Sequence, residues 1–324
     1  MKLLAYAFAV LKGCIYGSTV FFTGKLTEST DFLDVLALRF LLSFFVMWFL
    51  KTTRILKIKV GVKDFFVKNE RTPFLKHLFL AALFEPVLYM LFETVGISQT
   101  TGVTTAVILS LSPVFSVVSE RIFLRESCTL PHMGFLACGM VGAIYIALNT
   151  NTSDGKNSVF GILCILTALA CSSLFAVFSR KSSKRFSAME VTYFSCLLGA
   201  FSFNAVNIVR HLIAGDLLHY FDPYFSIENM IGFLFLGVMS TIVATSMNNF
   251  ALSKLQMSTT AAFGGVSTVV TVLIGVFVNH EEIYYYHLIG FALILARMVG
   301  VSSIMIMRDR KKRKLAEIGE ETNS

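Results

Sequence analysis

Charged residues are what this chain has least of. They make up 15% of its 324 residues, against roughly 25% in an ordinary soluble domain. A soluble enzyme of this length needs one or two cores inside a polar shell, and there is too little polar sequence here to make the shell. The same numbers exclude a disordered chain, a collagen and a disulfide-rich secreted scaffold. The six cysteines (Cys14, Cys128, Cys138, Cys164, Cys171 and Cys196) include no CxxC pair and sit in or beside apolar runs, where they read as small apolar residues. No Gly-x4-Gly-Lys-[Ser/Thr] loop occurs, so ATP drive within the chain is not expected. His-Glu-x-x-His, Gly-x-Ser-Gly and paired intramembrane Asp are missing too; His280-Glu-Glu lacks its second His. An intramembrane enzyme is therefore disfavoured, and neither a metal site nor a cofactor is expected.

What the chain does have is apolar length, with 55% hydrophobic residues and a mean hydropathy of +0.72. A bilayer core takes about 20 apolar residues as helix, with every backbone amide bonded internally. Ten such runs are found, at about 3–23, 32–50, 74–96, 103–123, 131–149, 159–179, 189–209, 230–250, 259–279 and 287–307. The net charge of +8 would suit nucleic acid only if the basic residues shared one exposed face. They follow the loops instead. With the N-terminus inside, 22 of 28 Lys and Arg fall on inner segments. Lys25, Lys156 and Arg210 are outer, and Lys12, Arg39 and Arg297 lie within spans. That alternation is the positive-inside pattern. It predicts an all-α, multi-pass protein of the cell (plasma or inner) membrane with both termini cytoplasmic, surrounded by lipid and binding no nucleic acid. Lys2 before an apolar run imitates a signal peptide, but Lys12 interrupts the run and no convincing cleavage site follows. Asn151-Thr-Ser is a glycosylation sequon only in a eukaryote.

Sliding the chain on itself by 155 residues sets Thr104-Thr-Ala on Thr259-Thr-Ala, Ser112 on Ser267, Glu126 on Glu281, Lys25 on Arg180 and His132 on His287. One constant offset across several helices points to a duplication, with repeats over 1–150 and 156–307 and a basic/acidic cytoplasmic tail over 308–324. Five helices per repeat is an odd number, so the second repeat enters the membrane from the opposite side. Inverted repeats are a frequent transporter architecture, with substrate held between the halves near the midplane. Gly13 and Gly17 (GxxxG), with Gly139, Ala143 and Ala147, permit close helix approach, either within the bundle or at a homodimer interface.

Several motifs resemble one family. Tyr16-Gly-Ser stands where that family commonly has Trp-Gly-Ser, with Lys25 nine residues on; Leu38-Arg-Phe-Leu-Leu and Leu109-Ser-Leu-Ser-Pro-Val-Phe, followed by Arg125-Glu126, are similar to its recurrent elements. The chain resembles the drug/metabolite transporter superfamily, EamA-type, over nearly its whole length. The resemblance implies ten helices in two five-helix repeats and export of amino acids, related metabolites or drugs. Three departures stand out. Ser267-Thr-Val replaces a frequent Glu-Pro-Val, Arg297 replaces a small residue, and the third span carries Glu85-Pro86.

Charges inside a span cost about 2.5–3.5 kcal/mol each and mark functional candidates. At 1.5 Å per residue, Lys12, Glu85 and Arg297 all lie about 14–16 Å from a membrane face and are expected to meet at the midplane. Arg39 and Glu93 are expected to form a second pair, in gating or structure, with Arg297 a further charge of that kind. Helical spacing puts Glu85, Tyr89 and Glu93 on one face, and Lys12, Tyr16, Thr19 and Thr23 on another. The 155-residue offset maps Glu85 to Ser240 and Glu93 to Asn248. The candidate substrate or coupling residues are thus Lys12, Tyr16, Glu85, Tyr89, Ser112 and Asn248. A static Lys12–Glu85 pair, and hydroxyls that merely bond their own backbone, are the competing readings. Glu120-Arg121 reads as interfacial. The expected function is a secondary transporter of a small polar or amphipathic metabolite, with export the expected direction and proton coupling, exchange for a counter-substrate and facilitated diffusion all open. A nucleotide-sugar or sugar-phosphate antiporter and a non-transporting sensor or accessory subunit are the alternatives.

Overall fold

The computed structural model describes residues 2–56, 58, 72–99, 108–109, 111–125, 129–149, 158–278 and 284–321. The sequon, Lys156, Glu126, Glu281, His280, Thr104 and most of the basic loop after Lys51 lie outside the described residues. So do the side chains of Ala143, Ala147 and His287 and those of the tail from Arg308 onward.

Apolar runs with few polar side chains have one way to satisfy their amides in lipid, which is to coil on themselves. The chain accordingly forms α1 (Lys2–Thr27), α2 (Phe32–Thr52), α3 (Thr72–Ala82), α4 (Tyr89–Ser98), α5 (Ser112–Ser119), α6 (Leu130–Asn149) and α7 (Val159–Ser182). It continues as α8 (Ala188–Ala214), α9 (Ile227–Leu234), α10 (Thr245–Lys254), α11 (Met257–Ala262), α12 (Gly265–Val278) and α13 (Tyr285–Glu321). No strand occurs among the described residues. Seven of these stretches are long and apolar enough to cross a membrane, and two shorter apolar helices, Leu130–Gly142 and Leu288–Ile304, accompany them. The run expected at 103–123 falls partly outside the described residues. Exposed Phe45, Trp48, Phe49, Phe201 and Val209 make the outer surface apolar, as lipid contact requires.

Short polar signals start and stop the helices. The Asp31 side chain accepts from Leu33 N–H at the head of α2 (2.8 Å). At the head of α8, Ser187 and Glu190 form a capping box, which satisfies two otherwise orphaned amides. Gly215 closes α8 at φ 75°, a left-handed conformation glycine adopts without strain.

Two segments unwind where the repeat offset places them opposite each other. Between α3 and α4 the chain makes a wide π turn at Leu83–Leu88, with Glu85 out of helical conformation (φ −141°, ψ 121°) beside Pro86. The eighth segment makes a π stretch at Phe235–Ala244. There the Thr241 and Thr245 hydroxyls donate five residues back, to Leu236 O (2.8 Å) and Ser240 O (3.4 Å). The ninth segment breaks at Phe263–Gly264, between α11 and α12. The break exists without the family's proline, at a Gly264-Gly265 pair.

The packing is paired across the repeats. Helix α1 lies against the eighth and ninth segments; α7, its counterpart by the offset, lies against α3, α4 and α5. Offset partners also touch directly, α2 on α8 and α6 on α13, while α5 packs on α11, the element just before its own offset counterpart α12. Glycines make the tightest seam. A Cβ on Gly17 would lie 2.6 Å from the Ser267 carbonyl oxygen, and one on Gly13 2.6 Å from Val266 Cβ. Gly24, on the same helix, has nothing within 4 Å of such a Cβ. Gly17→Ala is expected to destabilise the protein by about 1–3 kcal/mol, while Gly24→Ala leaves it unchanged or slightly firmer. Thermal unfolding of the two variants in detergent measures the difference.

Candidate functional site

The seam between α1 and the unwound eighth segment is polar. Lys12 Nζ donates to Asn248 Oδ1 (2.5 Å), Tyr16 OH lies 3.3 Å from Thr245 Oγ1, and Thr19 Oγ1 donates to Ser240 Oγ (3.1 Å). From α2, Arg39 Nη2 donates to Thr241 Oγ1 (3.1 Å). The third segment supplies Tyr89, whose hydroxyl donates to Glu93 Oε1 (2.5 Å), and Glu85. Glu85 lies within electrostatic reach of Lys12 and Glu93, Tyr16 of Glu85 and Arg39, and Arg39 of Glu93 and Cys196. Lys12 and Arg39 are buried. Tyr16, Glu85, Tyr89 and Glu93 are surrounded by protein yet keep accessible surface.

The unwound turns explain why the cluster sits here. The break at Glu85-Pro86 removes an amide donor and turns the Glu85 carboxylate out of the helical row. The carboxylate has no hydrogen bond or ion pair among the described residues. It is therefore an open acceptor, free for an incoming cationic group or a proton. The cluster as a whole holds two cations, Lys12 and Arg39, and two acids, Glu85 and Glu93.

Five of the six expected site residues meet in this way: Lys12, Tyr16, Glu85, Tyr89 and Asn248. The Lys12–Glu85 contact is electrostatic and not direct, since the ammonium is held by Asn248. Arg39 and Glu93 join the cluster, but Arg39 spends its hydrogen bond on Thr241. Ser112 stands apart. It opens α5, which packs on α7 and α11, and its carbonyl accepts from Ser116 Oγ (3.1 Å). Ser267 likewise bonds its own backbone, at Gly264 O (2.6 Å). Arg297 goes elsewhere, against Gly139 and Gly265. Equal depth does not bring it to Lys12; its side chain packs between α6 and α12 instead.

Two further polar links join the repeats at the helix ends. Asp34, in the first turn of α2, accepts at Oδ1 from Arg210 Nη2 (2.7 Å), His211 Nε2 (2.9 Å) and Asn207 Nδ2 (2.8 Å) of α8. Arg210 also pairs with Asp31 (2.7 Å), and His211 Nδ1 meets Asp216 (2.8 Å). These residues line an open cleft. Below it Tyr224, whose phenol is held protonated by burial, donates to Leu38 O (2.6 Å). The sequence signal was an acid in the first turn of an apolar span and a histidine at the end of another, which periodicity cannot pair. At the opposite end Glu120 is fully buried, not interfacial. Its Oε1 accepts from Ser258 N–H (3.0 Å), capping α11, and lies 4.0 Å from Arg180.

Removing a buried acid strands the donors around it. Asp34→Ala is expected to destabilise the protein by on the order of 3 kcal/mol, while Asp31→Ala, at a solvated cap, loses about 1 kcal/mol. Denaturant titration of both variants in the same detergent tests the contrast.

Comparison with known proteins agrees with this architecture. The model of the EamA-like transporter family matches twice, over residues 3–148 and 159–303. The chain is 28% identical over 308 residues to the uncharacterized transporter YcxC of Bacillus subtilis (strain 168), covering 95% of each. It is 22% identical to an uncharacterized transporter of Archaeoglobus fulgidus, over 68% of this chain and 75% of that one. A solved crystal structure superposes with a TM-score of 0.70 at 16% identity, over 93% of this chain and 97% of the other; at that identity it speaks for the fold alone. Two family matches, one on each repeat, cover nearly every described helix. The chain belongs to the EamA-like transporter family, within the drug/metabolite transporter superfamily, and is an integral membrane transporter.

Proposed function

We propose that the protein is a secondary active exporter of a small polar or amphipathic metabolite, an amino acid or related compound, working by alternating access. The observation that carries this reading is the central cluster. Lys12, Tyr16, Arg39, Glu85, Tyr89 and Glu93 from the first repeat face Ser240, Thr241, Thr245 and Asn248 from the second. Its charges balance, two cations against two acids. A zwitterion matches that balance, with its carboxylate toward Lys12 or Arg39 and its ammonium toward Glu85. A sugar phosphate or nucleotide sugar would add net negative charge to a cluster that is already balanced, so the antiporter alternative is the weaker one.

In this reading the two end links alternate as closures. The Asp34–Arg210–His211 link lies at the outer end of the bundle and the Glu120–Ser258–Arg180 link at the inner end, with both termini cytoplasmic in the plasma membrane. Substrate occupying the centre draws Lys12 from Asn248 and engages Glu85. Either the substrate's ammonium or a coupling proton then neutralises that acid. The differential interaction of the two states with the ligand is what shifts their populations.

Proteoliposomes loaded with a mixture of radiolabelled amino acids test the assignment. Glu85→Gln is expected to lower transport at least tenfold and to flatten its dependence on pH, while Ser112→Ala, outside the cluster, transports as wild type. Wild-type rates and pH dependence in Glu85→Gln would remove Glu85 from the mechanism.

A further inference from the structure

Among the described residues Arg297 has no counter-charge. Its side chain is 5% exposed, in a segment where an uncompensated charge is costly. No hydrogen bond or ion pair engages it among the described residues, Nε is sealed without an acceptor, and the one ionisable group within electrostatic reach is the Cys138 thiol. Space has nevertheless been made for it. A Cβ on Gly139 would lie 2.2 Å from Arg297 Cδ, and one on Gly265 2.5 Å from Nη2. Two glycines, on α6 and α12, hold the room that the guanidinium fills.

The second observation is what the guanidinium is aimed at. Gly265 is the first residue of α12, a helix of 14 residues, and a helix N-terminus itself carries partial positive charge. The nearby carbonyls of the break are already engaged. Ala261 O accepts from Gly264 N–H (3.0 Å), Phe263 O from Val266 N–H (3.1 Å) and Gly264 O from Ser267 N–H (3.1 Å). The Gly265 N–H has no acceptor among the described residues. Basic side chains are favoured at the other end of a helix, and a buried charge left without a partner is strongly destabilising. Two positive groups brought face to face inside a membrane protein make sense with an anion between them, which is how helix N-termini bind anions elsewhere.

We infer that Arg297 and the N-terminal turn of α12 form a binding site for a small monovalent anionic group, a chloride ion or a carboxylate. One guanidinium and one free amide match a single negative charge. The site is separate from the central cluster but adjoins it. Val266, the next residue along, packs on Gly13 beside Lys12, so the two sites occupy neighbouring faces of one helix terminus. Chloride would be a resident ion; a carboxylate would be the acidic end of a transported molecule. The inference stands whether or not the zwitterion reading of the centre holds.

The test uses the purified full chain in detergent, in HEPES buffer with ionic strength held by sodium isethionate. Sodium chloride and sodium acetate are titrated in, and thermal unfolding and the chloride-35 NMR line width are followed. A saturable rise in Tm is expected with at least one of the two anions and is lost in Arg297→Gln. A response to chloride, with broadening of its resonance by the wild type, identifies a resident ion; a response to acetate alone identifies a carboxylate group. Gly265→Ala keeps the charge but puts a methyl group against Nη2, and is expected to weaken the apparent affinity at least tenfold, which covers the case that Arg297→Gln does not fold. No saturable response to either anion in the wild type, or an equal response in the variants, overturns the inference.

Discussion

Every amide in a lipid-embedded segment must find its acceptor within the protein, and the rest of this structure follows from where that rule is bent. Regular helix satisfies it without help. Among the described residues the helix opens at Leu83–Leu88, Glu120–Leu124, Phe235–Ala244 and Phe263–Gly264, and side chains or turns there take over the freed groups. Those same places gather the polar chemistry. Thr241 and Thr245 serve twice, donating to carbonyls five residues back while accepting from or facing Arg39 and Tyr16. The local repair of the backbone and the construction of the central cluster are one operation, which is why irregular backbone and charge coincide.

Much of the fold was legible because lipid imposes a length and a polarity on each segment. Runs of apolar residues point to the helical architecture, and a single 155-residue offset points to the two repeats that the family matches also cover. The centre was legible for a related reason: ionisable residues are so unfavourable within a span that Lys12, Glu85 and Arg39 announce themselves. Pairing was harder. Depth along a helix is a count of residues, whereas direction around it depends on packing, and Arg297 shares the depth of Lys12 while facing another way. Ser112 shows the same limit, a polar residue at a suitable level on a helix that turns toward α7 and α11. Glu120 was misread because proximity to a membrane face says nothing about burial; it caps α11 from the neighbouring repeat. The Asp34–His211 link was invisible to pattern altogether, since 177 residues separate its partners.

Between helices the hydrophobic effect offers little in lipid, so association rests on close packing and interhelical hydrogen bonds. Both are used here, in different places. The α1–α12 seam is glycine against backbone, with Thr271 Oγ1 donating to Gly17 O (3.0 Å). The contacts at the two helix ends are charged or charge-assisted, and such contacts exchange partners with less loss than interlocked backbones do. A bundle built this way has close-packed seams along its helices and polar links at their ends.

The repeats are alike in sequence offset but not in stitching. In the second, Ser179 Oγ donates to Asn249 Oδ1 (2.7 Å), Asn249 Nδ2 to Thr192 Oγ1 (3.1 Å) and Ser246 Oγ to Thr192 Oγ1 (3.1 Å), tying α7, α8 and α10 together. The positions 155 residues earlier hold Gly24, Thr94, Ala37 and Leu91, and Thr94 bonds its own backbone at Met90 O (2.6 Å). Two identical halves would exchange roles without preference, and such a machine would idle equally often in either orientation. In the proposed exchange of roles, this unequal stitching among the described residues would break that degeneracy and give the empty protein a resting orientation.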